Sequence, residues 1–224
     1  MSKRVAGKLM QVARRAPLIA VLLLSLAANA DDVRVTVLDV NGMPVADVAV
    51  YAEAANPETL PPPVGNAVMD QIDTRFDPHI LIVQVGTEVR FPNSDVVAHH
   101  VYSFSSPNDF ILPLYKGEAH PPVIFDTSGV VTLGCNIHDQ MLGYILVVES
   151  NAFAKTDERG VATLSVGSGS AASINIWSPR ITRKGESLSR AISAELPGEI
   201  VFRLQGKLRP PHDSDQGALK WTDY

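Results

Sequence analysis

Apolar residues in this chain occur in short β-branched runs separated by turn-forming residues, and this pattern restricts the fold most strongly. Runs at residues 80–85, 130–135 and 144–148 each adjoin a glycine. No segment beyond residue 30 repeats apolar residues with the 3.6-residue period of an amphipathic helix. Short runs with turn residues at their ends predict strands. We therefore expect an all-β protein, in which residues 66–149 form a compact Greek-key sandwich.

The first strands after residue 30 show a turn signal between two alternating segments. Val33, Val35 and Val37 alternate with other residues, Asn41-Gly42 follows, and alternation resumes at 45–50. Asn-Gly between alternating apolar residues is a strong signal for a β-hairpin. The sequence therefore predicts that residues 33–50 form a hairpin.

Composition predicts where the domains end. Residues 56–65 contain four prolines, which indicates a stiff linker or boundary. Strand patterns return after residue 150 and end near residue 205. We predict a signal peptide at residues 1–30 and a polar tail at 206–224. Between them, one domain is split into the segments 31–55 and 150–205, and a second domain at 66–149 lies between those segments.

The first thirty residues carry the pattern of a secretory signal peptide. Five basic residues precede a 12-residue apolar run at 17–28, and Ala28-Asn29-Ala30 matches a small-x-small cleavage site. The apolar run is too short to cross a bilayer, for which roughly 20 residues are needed. We therefore expect cleavage after Ala30, export to the periplasm, and no membrane span in the mature chain.

Charge limits the partners of the mature chain. The first 30 residues hold five of the 19 Lys and Arg and none of the 24 Asp and Glu, so the remainder carries a net charge of −10 with histidine neutral. Such an acidic balance argues against nucleic acid as a partner. It is compatible with good solubility or with a basic protein partner.

The stretch LGCNIHDQMLGY at 133–144 contains the only cysteine of the chain. Leu133 and Cys135 would share the inward face of one strand, which carries the thiol into the core. His138 and Met141 follow at intervals of three, so a short loop can direct all three side chains at one point. A lone cysteine in an exported protein is either an inert buried thiol or a thiolate that a metal ion protects from oxidation.

The chemistry at that point favours copper. A thiolate, an imidazole and a thioether need only a second imidazole to form a trigonal His₂Cys set with a weak axial Met, which is typical of an electron-transfer copper site. Zinc is disfavoured, because its sites are built from Cys, His and carboxylate ligands and seldom include a thioether such as that of Met141. His99 or His100, about 35 residues upstream, can supply the second imidazole. The strand pattern leaves the choice between them open.

These residues resemble the cupredoxin family of blue copper proteins. The C-x₂-H-x₂-M pattern at 135–141 is similar to the short ligand loop of amicyanin, and FPN at 91–93 precedes His99 as in the stretch that bears the family's first histidine. The family usually has Asn after that histidine, whereas this chain has His100, which would then help to fix the two ligand loops. The resemblance implies one type 1 copper ion bound by His99, Cys135, His138 and Met141.

The flanking segments resemble a second unit. Residues 33–51 and 156–177 are similar to the two halves of a carboxypeptidase-regulatory-like, transthyretin-like sandwich, between which the cupredoxin domain would be inserted. The whole arrangement, with its GCNIHDQM stretch, resembles proteins labelled methylamine utilisation proteins. That resemblance implies a periplasmic electron carrier whose partners are redox proteins such as an amine dehydrogenase or a c-type cytochrome.

Two functions are compatible with a copper site of this kind. The first is a redox carrier that passes single electrons between protein partners, and the second is a copper-binding, copper-delivery or partner-binding module without redox flux. Met141 favours the carrier, because an axial thioether tunes the reduction potential. No Gly-rich phosphate loop, Ser/His/Asp order or paired catalytic carboxylates stand out. We therefore expect an electron carrier and not an enzyme.

One loop before the first histidine is apolar where a free loop would be polar. Residues 96–98 read Val-Val-Ala, and we expect them to lie beside Ile137 and His138 at the copper end of the sandwich. Local packing would explain such a loop. A docking surface for a redox partner, around a partly exposed His138, would explain it as well, and we favour docking.

Overall fold

The computed structural model describes residues 30–56, 60–106, 108–167, 171–181, 187–192 and 197–210. These residues form β-strands, turns and irregular segments but no helix, so the predicted all-β class is confirmed. Within the same ranges, therefore, no helix has the length and apolar character needed to cross a membrane. The predicted signal peptide and most of the predicted tail lie outside the described residues.

The strands are mostly short, as the spacing of turn residues predicts. In chain order they are β1 (Ala30–Leu38), β2 (Ala49–Ala54), β3 (Ala67–Val68), β4 (Asp70–Ile72), β5 (Arg75–Asp77), β6 (Ile80–Gln84), β7 (Thr87–Arg90), β8 (His99–Ser105), β9 (Asn108–Tyr115), β10 (Val123–Phe125), β11 (Gly129–Gly134), β12 (Leu142–Val148), β13 (Phe153–Lys155), β14 (Val161–Gly167), β15 (Ala171–Trp177), β16 (Leu188–Ala191) and β17 (Glu199–Arg203).

Two sheets enclose the core that carries the cysteine. One has the strand order β6-β12-β11-β8-β9 and the other β10-β7-β3. Both supply side chains to a single buried cluster, with Val89 and Phe125 from the small sheet and Val101 and Ile145 from the large one. Fully burying one such side chain stabilises the fold by about 1.5–3 kcal/mol. Cys135 belongs to this cluster, so the core itself determines where the thiol lies.

A second core lies between two other sheets. Their strand orders are β14-β1-β17 and β13-β2-β15-β16, and both sheets contribute to one cluster of Val, Ile, Leu, Ala and Phe. Pairing of β1 with β14 and of β2 with β15 joins the chain before residue 55 to the chain after residue 150. The exact domain boundaries given above stay a prediction.

Strand β12 shows why its sequence is continuously apolar. Ile145 and Val147 point into the core that contains Cys135. Leu146 and Val148, on the opposite face, form a third cluster with Ile80, Ile82, Ala49 and Trp177. A strand that is buried on both faces reads as an unbroken apolar run and not as an alternation. The large sheet is therefore covered on both sides along this strand.

The predicted hairpin at 33–50 is wrong. Strand β1 pairs with β14 and β17, whereas β2 pairs with β13 and β15 in a different sheet. The turn does form, with Gly42 at a φ of 80°, but only one isolated bridge, Leu38 to Pro44, closes it. Valines of both segments then pack into the same core from its two sheets. Burial of apolar side chains between two sheets decides the pairing over the local turn signal.

Candidate metal centre

The loop 135–141 closes the β11–β12 hairpin and carries the three motif residues. Gly134 pairs with Leu142 across the base of the loop, and the backbone N–H of Met141 donates to the carbonyl of His138 at 2.9 Å. The ring of Tyr102 lies against Gly134, where an added Cβ would meet the ring at 2.7 Å. Position 134, directly before Cys135, therefore has no room for a side chain, and glycine allows the Tyr102 ring to pack there.

Strand β8 directs His99 inward. Its alternate residues His99, Val101 and Ser103 are fully buried, whereas Phe104 on the other face is exposed. Of the two candidate histidines, His99 is therefore the one on the face of the strand that points to the core. His100 lies on the outer face, and its Nδ1 atom is buried with no hydrogen-bond partner among the described residues. No hydrogen bond at this nitrogen supports the expected role of His100 in fixing the two loops.

Three potential ligand atoms meet at this end of the core. Cys135 Sγ lies 4.0 Å from His99 Nδ1 and 3.9 Å from His138 Nδ1, and the two Nδ1 atoms are 3.1 Å apart. The ligand atoms of His99, Cys135 and His138 all lie within 4.8 Å of one another. Among the described residues, this is the group of His, Cys, Asp or Glu side chains that is close enough to hold a metal ion. Two histidines and the one cysteine, far apart in sequence, are thereby brought together.

The separations of these atoms fit a metal ion. With metal–sulfur bonds of about 2.3 Å and metal–nitrogen bonds of about 2.0 Å in one plane, sulfur and nitrogen would be about 3.7 Å apart and the nitrogens about 3.5 Å apart. The observed separations agree with these values within about half an ångström. A thiolate with two imidazoles is a donor set that suits copper, so the residues present could bind one copper ion.

Met141 is positioned at the end of the same loop. It is 1% exposed and belongs to the same buried cluster as Cys135. A thioether in this place is shielded from water. Its role as the fourth ligand stays a prediction.

Asp95 is a member of the site that sequence reasoning missed. Its Oδ2 atom lies 2.9 Å from His99 Nε2, and its side chain is only 8% exposed. Its position four residues before a candidate ligand was the available signal, because metal-binding histidines almost always donate their second ring N–H to an acceptor such as a carboxylate. The sequence alone does not show how this loop folds, so it could not identify Asp95 as the carboxylate that contacts His99.

The loop that leads to His99 is held by side chains. Asn93 donates to the carbonyls of Val97 and Tyr115, at 3.0 and 2.8 Å, and accepts from the backbone N–H of Asp95 at 3.0 Å. Asn93 is itself buried. The segment between 93 and 99 is therefore fixed at several points, which positions both Asp95 and His99.

His138 is the half-buried member of the cluster. Burial lowers the pKa of His138 from its usual value, and the neighbouring His99 lowers it further, against an opposing effect of Asp95. The neutral imidazole, which is the form that can bind a metal ion, is thereby favoured. Nearby on the chain, Ile137 is 50% exposed, and Val96 in the loop before His99 is 83% exposed.

The remaining described histidines with distinct environments lie elsewhere. His79 packs edge-on against Tyr144, and His120 packs against Tyr115 and lies 3.1 Å from the carbonyl of Pro113. Neither belongs to the cluster of ligand atoms.

Solved structures that are similar to this chain include cupredoxins. A purple cupredoxin from Nitrosopumilus maritimus is 22% identical over 37% of this chain and 99% of that chain, with a TM-score of 0.33. Two reduced amicyanin variants are 20% and 23% identical, each over 45% of this chain and 98% or 99% of their own, with TM-scores of 0.35 and 0.34. No family model and no curated protein matches the chain.

Proposed function

We propose that this protein is a type 1 copper protein that carries single electrons between protein partners in the periplasm. The observation that carries the proposal is the convergence of one thiol and two imidazole nitrogens in the core, with His99 and Cys135 almost fully buried and His138 half-buried. The proposed ligands are His99, Cys135, His138 and Met141.

The residues of the site have separate roles in this proposal. Bound copper would supply a one-electron couple between Cu(I) and Cu(II). The thiolate of Cys135 and the two Nδ1 atoms would hold the ion, while the apolar core around Cys135 and Met141 excludes water. His138 is the member of the set that reaches the surface, so electrons would enter and leave through its ring.

Burial favours the carrier over a copper-delivery module. His99 is 0%, Cys135 2% and Met141 1% exposed, so a partner could not reach these donors without opening the loop. A delivery module must let an acceptor displace its ligands one by one, and such exchange requires accessible donors. An electron, in contrast, needs only the edge of His138.

Exposed apolar side chains at the same end suit a docking surface. Val96, Val97 and Ile137 are 83%, 42% and 50% exposed, and they lie on the two loops that bring His99 and His138 together. Exposed apolar groups around a half-buried ligand allow close approach of a partner without a tight complex. We propose that redox partners dock here, in preference to the alternative that these side chains only pack beneath the loop.

The wider setting rests on the sequence resemblance. Export through a cleaved signal, insertion of the copper domain into a transthyretin-like sandwich, and electron transfer in amine oxidation with an amine dehydrogenase or a c-type cytochrome are parts of this proposal. The negative charge of the mature chain favours partners with a basic docking face. N-terminal sequencing of the exported protein would test cleavage after Ala30.

Met141→Gln tests the axial ligand. A soft thioether stabilises Cu(I) relative to Cu(II), and the harder amide oxygen of glutamine should reverse that preference and lower the reduction potential. Each tenfold change in the one-electron equilibrium corresponds to ~59 mV, so protein-film voltammetry should resolve even a small decrease.

Met69→Gln is the matched control, because Met69 is also fully buried in the same cluster but lies outside the proposed ligand set. It should destabilise the core to a similar degree without lowering the potential. A potential that does not respond to Met141→Gln, or slow electron self-exchange together with ready release of copper to a chelator, would contradict the carrier.

A further inference from the structure

Both oxygens of the Asp95 carboxylate accept hydrogen bonds. Its Oδ1 accepts from the backbone N–H of Val96 at 2.7 Å. Its Oδ2 accepts from the backbone N–H of Thr74 at 2.8 Å and lies 2.9 Å from His99 Nε2. Two of these partners are backbone N–H groups, which can only donate, so the side chain is positioned as a hydrogen-bond acceptor.

The acceptor role of Asp95 determines which nitrogen of His99 carries the proton. A carboxylate can only accept, so the 2.9 Å contact requires an N–H at Nε2. A neutral imidazole has one N–H, and its Nδ1 must then present a lone pair. That lone pair lies 3.1 Å from His138 Nδ1 and 4.0 Å from Cys135 Sγ. The ring nitrogen that faces the other two donors is thus the one that is free to bind a metal ion.

A strained turn supplies one of the donors that fix Asp95. Strands β4 and β5 are joined by the two residues Asp73 and Thr74, which have φ values of 51° and 59°. Such values are costly for a β-branched residue, about 1–3 kcal/mol. The turn directs the Thr74 N–H to the carboxylate from outside the ligand loop. The β4–β5 hairpin therefore braces Asp95 independently of residues 96–99.

We propose that Asp95 is a positioning residue of the metal centre, which holds His99 as the Nε2–H tautomer, aims its Nδ1 at the ion and stabilises the oxidised state. This inference rests on the proposed copper function. A negative charge hydrogen-bonded to a ligand imidazole makes that imidazole more basic. The effect is larger for Cu(II) than for Cu(I), because the ion with the higher charge gains more from a better donor.

The tautomer can be tested without copper. In the metal-free protein at neutral pH, long-range ¹H–¹⁵N correlation spectra should show His99 protonated at Nε2 and bare at Nδ1. Asp95→Asn should give a mixture of the two tautomers, because an amide can either accept from Nε2–H or donate to a bare Nε2. An unchanged Nε2–H tautomer in Asp95→Asn would overturn the orienting role.

The electronic effect is tested on the copper-loaded protein. Asp95→Asn should weaken Cu(II) binding about 10- to 100-fold, the usual effect of losing an outer partner of a metal ligand, and should weaken Cu(I) binding less. A tenfold difference between the two losses raises the potential by ~59 mV. An unchanged or lowered potential would overturn the proposal.

Asp70→Asn is the matched control. Asp70 also fixes this loop, since it accepts from the backbone N–H of Ser94 at 3.2 Å and from its hydroxyl at 2.7 Å, but it has no hydrogen bond to His99. This variant should keep both the tautomer of His99 and the potential. An equal shift of the potential in Asp70→Asn would show a general loosening of the loop and would overturn a specific role for Asp95.

Failure of this inference and failure of the proposed function give different results. If the wild-type protein binds no copper, or binds it without strong colour, the proposed function fails, while the tautomer of His99 in the metal-free protein still decides whether Asp95 orients the ring. If the wild-type protein is a type 1 copper protein and Asp95→Asn leaves tautomer, affinity and potential unchanged, the function stands and the role of Asp95 is rejected.

Discussion

Replacing Cys135 by serine should abolish the intense visible colour expected of the copper-loaded protein. The thiolate is the softest donor of the set and the bond between it and copper gives a type 1 site its character. Serine keeps the size of the side chain but offers a hard hydroxyl that is not deprotonated at neutral pH. Absorption spectra of wild type and Cys135→Ser, each loaded with one equivalent of Cu(II), provide the measurement.

A neighbouring substitution separates loss of the ligand from damage to the loop. Asn136 is exposed and follows Cys135 directly, so Asn136→Ser should keep the colour. Circular dichroism of each variant should show the all-β fold retained, since a buried hydroxyl destabilises by only about 1–3 kcal/mol. An unchanged visible spectrum in Cys135→Ser would mean that the thiol does not bind the ion.

His99→Ala should weaken Cu(II) binding by more than about 100-fold, because loss of an outer partner alone costs 10- to 100-fold and His99 is a proposed ligand itself. The ring is fully buried, so its removal leaves a cavity beside the other proposed ligands that a free imidazole could fill. Competition titrations with a chelator of known affinity would measure the change, and exogenous imidazole should restore part of the binding and colour.

His100→Ala is the matched control, one position along the same strand. Its ring lies on the opposite face of β8 from the cluster, so this variant should keep the affinity within about threefold, well below the 10- to 100-fold loss that a coupled outer residue produces. A larger loss in His100→Ala than in His99→Ala would transfer the ligand role to His100.

Local pattern was enough to predict the strand class and the spacing of the cysteine loop. Turn residues mark most strand ends, and the β11 alternation places Leu133 and Cys135 on one inward face, where both are buried. In β8 the alternation of apolar residues could not decide whether His99 or His100 points inward. Val101 shares a face with His99, but Tyr102 and Phe104, which share a face with His100, are apolar as well. The structure separates them, since Phe104 remains 76% exposed.

Features that depend on distant partners escaped prediction. The Asn41-Gly42 turn can be predicted from its own residues. The pairing of β1 and β2 with strands after residue 150 cannot, because residues 33–50 do not show which distant strands will cover them. Strand β9 contains Pro113 in an exposed stretch, so its sequence does not predict a strand. Proline is tolerated there because β9 is an edge strand of its sheet. Asp95 is identified only by a bond to His99 that requires the folded loop.

Copper content and the visible spectrum of the purified mature protein test the central claim most directly. The proposal predicts that the oxidised protein binds one Cu(II) per chain, is intensely coloured, and loses that colour on reduction to Cu(I) with the ion retained. A protein that binds zinc in preference to copper, or that holds Cu(II) without strong visible absorption, would contradict the assignment of a type 1 copper carrier.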